Sequence, residues 1–103
     1  MKQRIILQAH KQTSFLQKSI GLLNKKPHSI FFETRFGIHT FGMQYPIDVI
    51  ILDKKYQVKK MRKNLQPNRI FLWNPFYKGV LEMPAGDIAK HNIHEGSELT
   101  VEM

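Results

Sequence analysis

Short runs of large apolar residues alternate with polar breaks along this chain, and the period of each run separates helix from strand. Residues 2–8 set Ile5, Ile6 and Leu7 among basic residues and predict a first strand. Thr13 and Ser14 offer capping hydroxyls, with Gln17 in the capping-box position relative to Ser14. Phe15, Leu16, Ile20, Leu22 and Leu23 then recur at helical spacing, which predicts an N-terminal helix with one apolar stripe, ended by Asn24 and Pro27. From Ser29 the period shortens. Ile30, Phe31 and Phe32, then Phe36, Ile38 and Phe41, form aromatic and β-branched runs broken by Gly37 and Gly42, as strands and turns require. Residues 46–53 read Pro-Ile-Asp-Val-Ile-Ile-Leu-Asp, a nearly continuous apolar run of strand length, so a central strand covered on both faces is expected there.

Asp53, Lys54 and Lys55 predict a tight hairpin turn into residues 56–61, where Tyr56, Val58 and Lys60 alternate with Gln57, Lys59 and Met61. Further strands are expected at 70–73, 79–83 and through Leu99 and Val101, separated by the Gln66-Pro67-Asn68 and Asn74-Pro75 breaks. Residues 85–92 predict a short C-terminal helix with Ile88 and Ala89 inward. The whole reads as one mainly β domain over residues 1–103, a small sandwich or partly closed barrel. At 103 residues there is room for one hydrophobic core, and 42% hydrophobic residues are enough to fill it.

The absence of cysteine excludes disulfides, thiolate metal sites and a thiol nucleophile. The aliphatic run at Ile5–Leu7 is too short for a signal-peptide core, and no later run approaches the roughly 20 residues of a membrane span. A cytoplasmic, soluble monomer without membrane attachment is therefore the expectation. The net charge of +8 is unevenly spread. Residues 1–78 carry fifteen of the sixteen Lys and Arg against Glu33, Asp48 and Asp53, whereas 79–103 set Lys90 against five carboxylates. Such a molecule either presents a basic face to polyanions or pairs its own halves. Twelve of the sixteen basic residues are Lys, which lacks the planar fork suited to bidentate phosphate recognition.

Two stretches carry more than pattern. Residues 37–53 read Gly-Ile-His-Thr-Phe-Gly-Met-Gln-Tyr-Pro-Ile-Asp-Val-Ile-Ile-Leu-Asp, and residues 80–98 contain Leu-Glu-Met-Pro-Ala-Gly-Asp. In their order and spacing the His-Thr-Phe-Gly-Met, Pro-Ile-Asp and Leu-Glu-Met-Pro-Ala-Gly pieces resemble the prokaryotic family known as domain of unknown function 192, from about Gln12 to the C-terminus. The resemblance implies a compact, mainly β, jelly-roll-like fold with an N-terminal helix packed on it, and it brings no activity. The chain departs from the family pattern in a short segment between Met61 and Lys78 and in ending its helix Gly21-Leu22-Leu23 rather than Gly-Leu-Met.

The candidate ligand-binding residues are His39, Thr40, Met43, Asp48 and Glu82. Alternation puts Asp48 on the face of Ile50 and Leu52, where a carboxylate needs a partner. His39, in the glycine-flanked loop, would orient it as an acid or base, whereas backbone amides of that loop would make it structural. On this reading the chain binds a small ligand or protein partner through residues 37–48. A second reading is single-stranded nucleic-acid binding along residues 54–78. Lys54, Lys55, Lys59, Lys60, Arg62, Lys63 and Arg69 would supply charge there, with Trp73 among the aromatic platforms Phe71, Phe76 and Tyr77. Lysines along an edge strand that resists aggregation give the plainer account of the same residues. A third reading is a hydrolase or isomerase built on His39 and Asp48. His91 and His94, with Asp87, have only weak metal-ligand spacing at a helix end, so neither metal nor cofactor is expected. Residues 81–86 lead from strand to helix, where free amides would receive an anion, and Glu82 is expected to pair with a basic residue on a neighbouring strand.

Overall fold

The computed structural model describes residues 4–11 and 29–103. Its strands are β1 (Arg4–Gln8), β2 (His10–Lys11), β3 (Ile30–Glu33), β4 (Gly37–His39), β5 (Ile47–Leu52), β6 (Val58–Leu65), β7 (Ile70–Leu72), β8 (Gly79–Pro84) and β9 (Glu98–Glu102). One helical turn, α1 (Asp87–Lys90), is shorter than the 85–92 span expected for it. The N-terminal helix expected over 15–23 lies outside the described residues.

A five-stranded sheet in the order β2-β3-β8-β5-β6 forms the middle of the molecule. Its strands pair antiparallel except β2 with β3. All six residues of β5 are buried, Asp48 included, as the nearly continuous apolar run predicts, though β8 rather than β5 holds the middle position. Two smaller ladders cover its faces. On one side the antiparallel β4–β7 ladder lays Ile38 and Phe71 against Ile30, Phe32, Val49, Ile51 and Val80. On the other the parallel β1–β9 pair and α1 lay Leu7, Leu99 and Ile88 against Phe31, Ile50, Leu52, Leu81 and Met83. The single core expected from chain length is thus divided by the sheet into two layers. The sheets stack without closing, so the partly closed barrel is not formed.

Strict alternation fails along β6, where the register with β5 slips twice. Leu52 pairs with Val58 but Ile51 with Lys60, so Lys59 is an extra residue, and a second slip falls between Arg62 and Leu65. Val58 and Met61 consequently share the β1–β9 side, while Lys60 pairs with Ile51 of the β4–β7 side. β6 is one of the two edges of the large sheet, and its lysines sit where an edge is normally defended by charge.

Candidate functional site

Asp48 is 1% exposed and faces the β1–β9 side of the sheet, opposite Met83. Its Oδ1 accepts from the Asn64 amide at 2.9 Å, and its Oδ2 accepts from the amides of Gly86 at 3.0 Å and Ile88 at 2.9 Å. Asn64 has φ 55 within the second irregularity of β6, and Gly86 has φ 102, so the carboxylate clasps two irregular pieces of backbone to the central strand. The N–H groups at the start of α1, expected to be free for an external anion, are taken by the chain's own anion. The amides come from β6 and the 86–88 turn, not from the 37–48 loop.

His39 lies on β4, in the ladder that covers the opposite face of the sheet. The His39–Asp48 pair on which an acid–base reading depends is therefore not assembled: the imidazole stacks on Phe41 at 4.8 Å, and its Nδ1 accepts from the Phe41 amide at 3.3 Å. Thr40 is buried and ties the loop to the 66–69 turn. Its hydroxyl donates to the Gln66 carbonyl at 2.7 Å and accepts from the Arg69 amide at 2.9 Å, while its own carbonyl accepts from the Asn68 amide at 2.9 Å. Met43 is buried in the core on the β4–β7 side. Glu82 is buried between Ile30 and Val49 on its flanking strands, so the expected cross-strand basic partner is not at those positions. Burial, and then the charge of Glu82, raises the Tyr45 phenol above its ordinary value of 10.0.

The basic residues divide. Trp73, expected as a stacking platform, is only 7% exposed, and its Nε1 donates to the Tyr77 carbonyl at 2.6 Å. Lys60 donates to the Leu72 carbonyl at 2.9 Å with its ammonium 5.1 Å from the Phe71 ring centroid, which joins β6 to β7. Arg62 and Lys63 are exposed further along the edge, and Arg69 is exposed in the turn beyond it. Lys54, Lys55 and Lys59 belong to a different place.

The register sets Glu33 beside Gly79 and Gly79 beside Leu52, so the ends of β3 and β5 and the start of β8 lie in one row. The segments that leave β3 and β5, 34–35 and 53–57, and the segment that leads into β8, 74–78, meet around an open groove of about 850 Å³. Arg35, Lys54, Lys55, Lys59 and Lys78 line it against only Glu33 and Asp53, with the rings of Phe31, Tyr56, Phe76 and Tyr77 between them. Lys59 lies 3.8 Å from Asp53 and Lys78 lies 3.7 Å from Glu33. Both pairs are solvent-accessible and hold their lysines only weakly. Among the described residues Arg35, Lys54 and Lys55 enter no ion pair. Asp53 shapes the hairpin by accepting from the amides of Lys55 at 2.8 Å and Gln57 at 2.9 Å. Asn74 shapes the other wall by accepting from the Phe76 amide at 3.0 Å, and Phe76 is left 88% exposed. Arg35, Phe31 and Lys78 were not among the sequence candidates, because nothing local marks them; only strand pairing brings them to the hairpin.

No group of three or more His, Asp or Glu side chains able to hold a metal occurs among the described residues. The His94 ring is instead bonded to Asn92 Oδ1 at 3.0 Å. No helix among the described residues is long and apolar enough to cross a membrane.

The family model described as DUF192, an uncharacterized ACR, matches residues 2–101. No curated protein matches the chain. Among solved structures the fold is similar to a protein of unknown function from Novosphingobium aromaticivorans DSM 12444. The TM-score is 0.72 and the identity 16%, covering 85% of this chain and 70% of that one. It is similar also to a "putative transcription regulator" from Sinorhizobium meliloti 1021, with TM-score 0.70 and 17% identity over 88% of this chain and 76% of that one. At these identities the likeness is one of fold.

Proposed function

We propose a binding role for this chain, which belongs to the DUF192 family of uncharacterised proteins: it takes an anionic ligand in the groove where β3 and β5 end and β8 begins. The observation that carries the reading is the charge of that groove, five cationic side chains against two carboxylates. Cations gathered in a recess focus the field and raise the local concentration of an anion. The 37–48 loop supports a ligand site less well, because Thr40 and Asp48 spend their polar atoms on backbone and Met43 is buried. An acid–base reaction at His39 and Asp48 is disfavoured by their placement on opposite faces of the sheet.

The test is amide chemical-shift mapping with inorganic polyphosphate, a polyanion with no aromatic part. The expected result is saturable shifts concentrated at 33–35, 53–59 and 76–79, abolished by the double substitution Lys54→Glu, Lys55→Glu and weakened by salt. Shifts centred on 37–48, or binding indifferent to the double substitution, would refute the groove.

A further inference from the structure

We infer that the anion taken by this groove is single-stranded nucleic acid, with a base stacked on Phe76; this rests on the groove being the binding site. The groove offers two chemistries side by side. Arg35, Lys54 and Lys55 present charge that no carboxylate among the described residues neutralises. Phe76 presents a ring that is 88% exposed, on a turn held by Asn74 Oδ1 and by the Tyr77 amide on the Asn74 carbonyl at 3.1 Å. An aromatic ring costs free energy when left in water, and this one packs on no core. A base stacked on it recovers that cost while the adjacent phosphates meet the lysines, which is the pairing of platform and cationic track that binds single strands without sequence preference. A purely inorganic anion would use the charge and leave the ring wet.

The groove is open and bounded by three segments, so a flexible strand can lie along it with its phosphates at Arg35, Lys54 and Lys55 and a base over the exposed Phe76 ring. A duplex suits it less, because its bases are already stacked on one another and unavailable to Phe76.

The experiment compares fluorescence anisotropy of labelled oligothymidine with that of an abasic oligonucleotide of equal length. Oligothymidine should bind about five- to 150-fold more tightly than the abasic strand, by the usual strength of base–aromatic stacking. Phe76→Ala should weaken oligothymidine by about five- to 150-fold and leave the abasic strand and polyphosphate unchanged. Because Phe76 is on the surface, the substitution leaves the core intact. Three to five neutralised phosphates predict a slope of about −2 to −3.5 in log K against log salt. Equal affinity for the two oligonucleotides, or no effect of Phe76→Ala, would overturn the nucleic-acid inference while leaving the anion groove in place. Tighter binding to phosphatidylserine vesicles than to oligothymidine would overturn it in favour of a membrane surface. Binding of every probe unaffected by Lys54→Glu, Lys55→Glu would remove both readings.

Discussion

Truncating Asp48 tests whether the motif residue that most resembles a catalytic acid is a structural clasp. Its carboxylate accepts three backbone hydrogen bonds at 2.9, 3.0 and 2.9 Å. Hydrogen bonds to a charged group contribute about 1.5–3 kcal/mol each, so a plain sum for Asp48→Ala is roughly 4.5–9 kcal/mol. The bonds from Asn64 and Gly86 are only part-buried, so water can replace the carboxylate there, whereas the Ile88 amide is sealed. The expected loss is therefore about 3–5 kcal/mol, a large share of the roughly 5–15 kcal/mol that holds a domain together. Asp48→Asn keeps the volume and one accepting oxygen but turns an NH₂ group toward amide donors, so it should lose about half as much. Urea unfolding followed through the fluorescence of Trp73, the single tryptophan, reads this directly. At a slope of about 2 kcal/mol per molar urea, the Asp48→Ala midpoint should fall by about 2 M. Folded Asp48→Asn protein should bind polyphosphate as the wild type does, because Asp48 lies away from the groove. Midpoints coincident with the wild type's would refute the clasp, and so would loss of polyphosphate binding by a folded variant.

Two further substitutions probe the same fold. Gly86→Ala meets nothing within 4 Å of the added Cβ, so only its φ of 102° opposes it, and a stability loss of about 1–2 kcal/mol in the same urea assay is expected. Tyr45 carries a raised pKa in the folded state, so the stability it contributes is complete below pH 10.0 and is lost as pH rises through the folded value. Tyr45→Phe should therefore flatten the decline of unfolding free energy above that pH, and parallel declines in the two proteins would contradict the assignment.

Much of the strand layout was legible because strands obey local rules. The run from Ile47 to Leu52 announced burial on both faces, Asp53 announced its hairpin, and Asn74-Pro75 marked the break before Gly79. The need of Asp48 for a partner was also legible, since a carboxylate among Ile50 and Leu52 cannot stay unsolvated. The partner was not: Gly86 and Ile88 are 38 and 40 residues away, and His39 was the nearer candidate in sequence. The alternation read along 56–61 went astray at Lys59, because a bulge depends on the register with β5 and leaves no mark in the residues themselves.

The groove shows the same division between what chain chemistry dictates and what pairing decides. The sequence by itself determined that the chain is mainly β, that its carboxylates collect toward the C-terminus, and that a basic run follows the longest buried strand; each follows from residue type and spacing. Only the tertiary structure decided that Trp73 turns inward to donate to the Tyr77 carbonyl while Phe76 turns out. It alone sent Lys60 across to the Leu72 carbonyl and set Lys54 and Lys55 beside Arg35 and Lys78. The reason is physical: a strand's periodicity fixes which residues share a face, but the register between strands far apart in sequence fixes which ends meet, and a site built at strand ends exists only once that register is set.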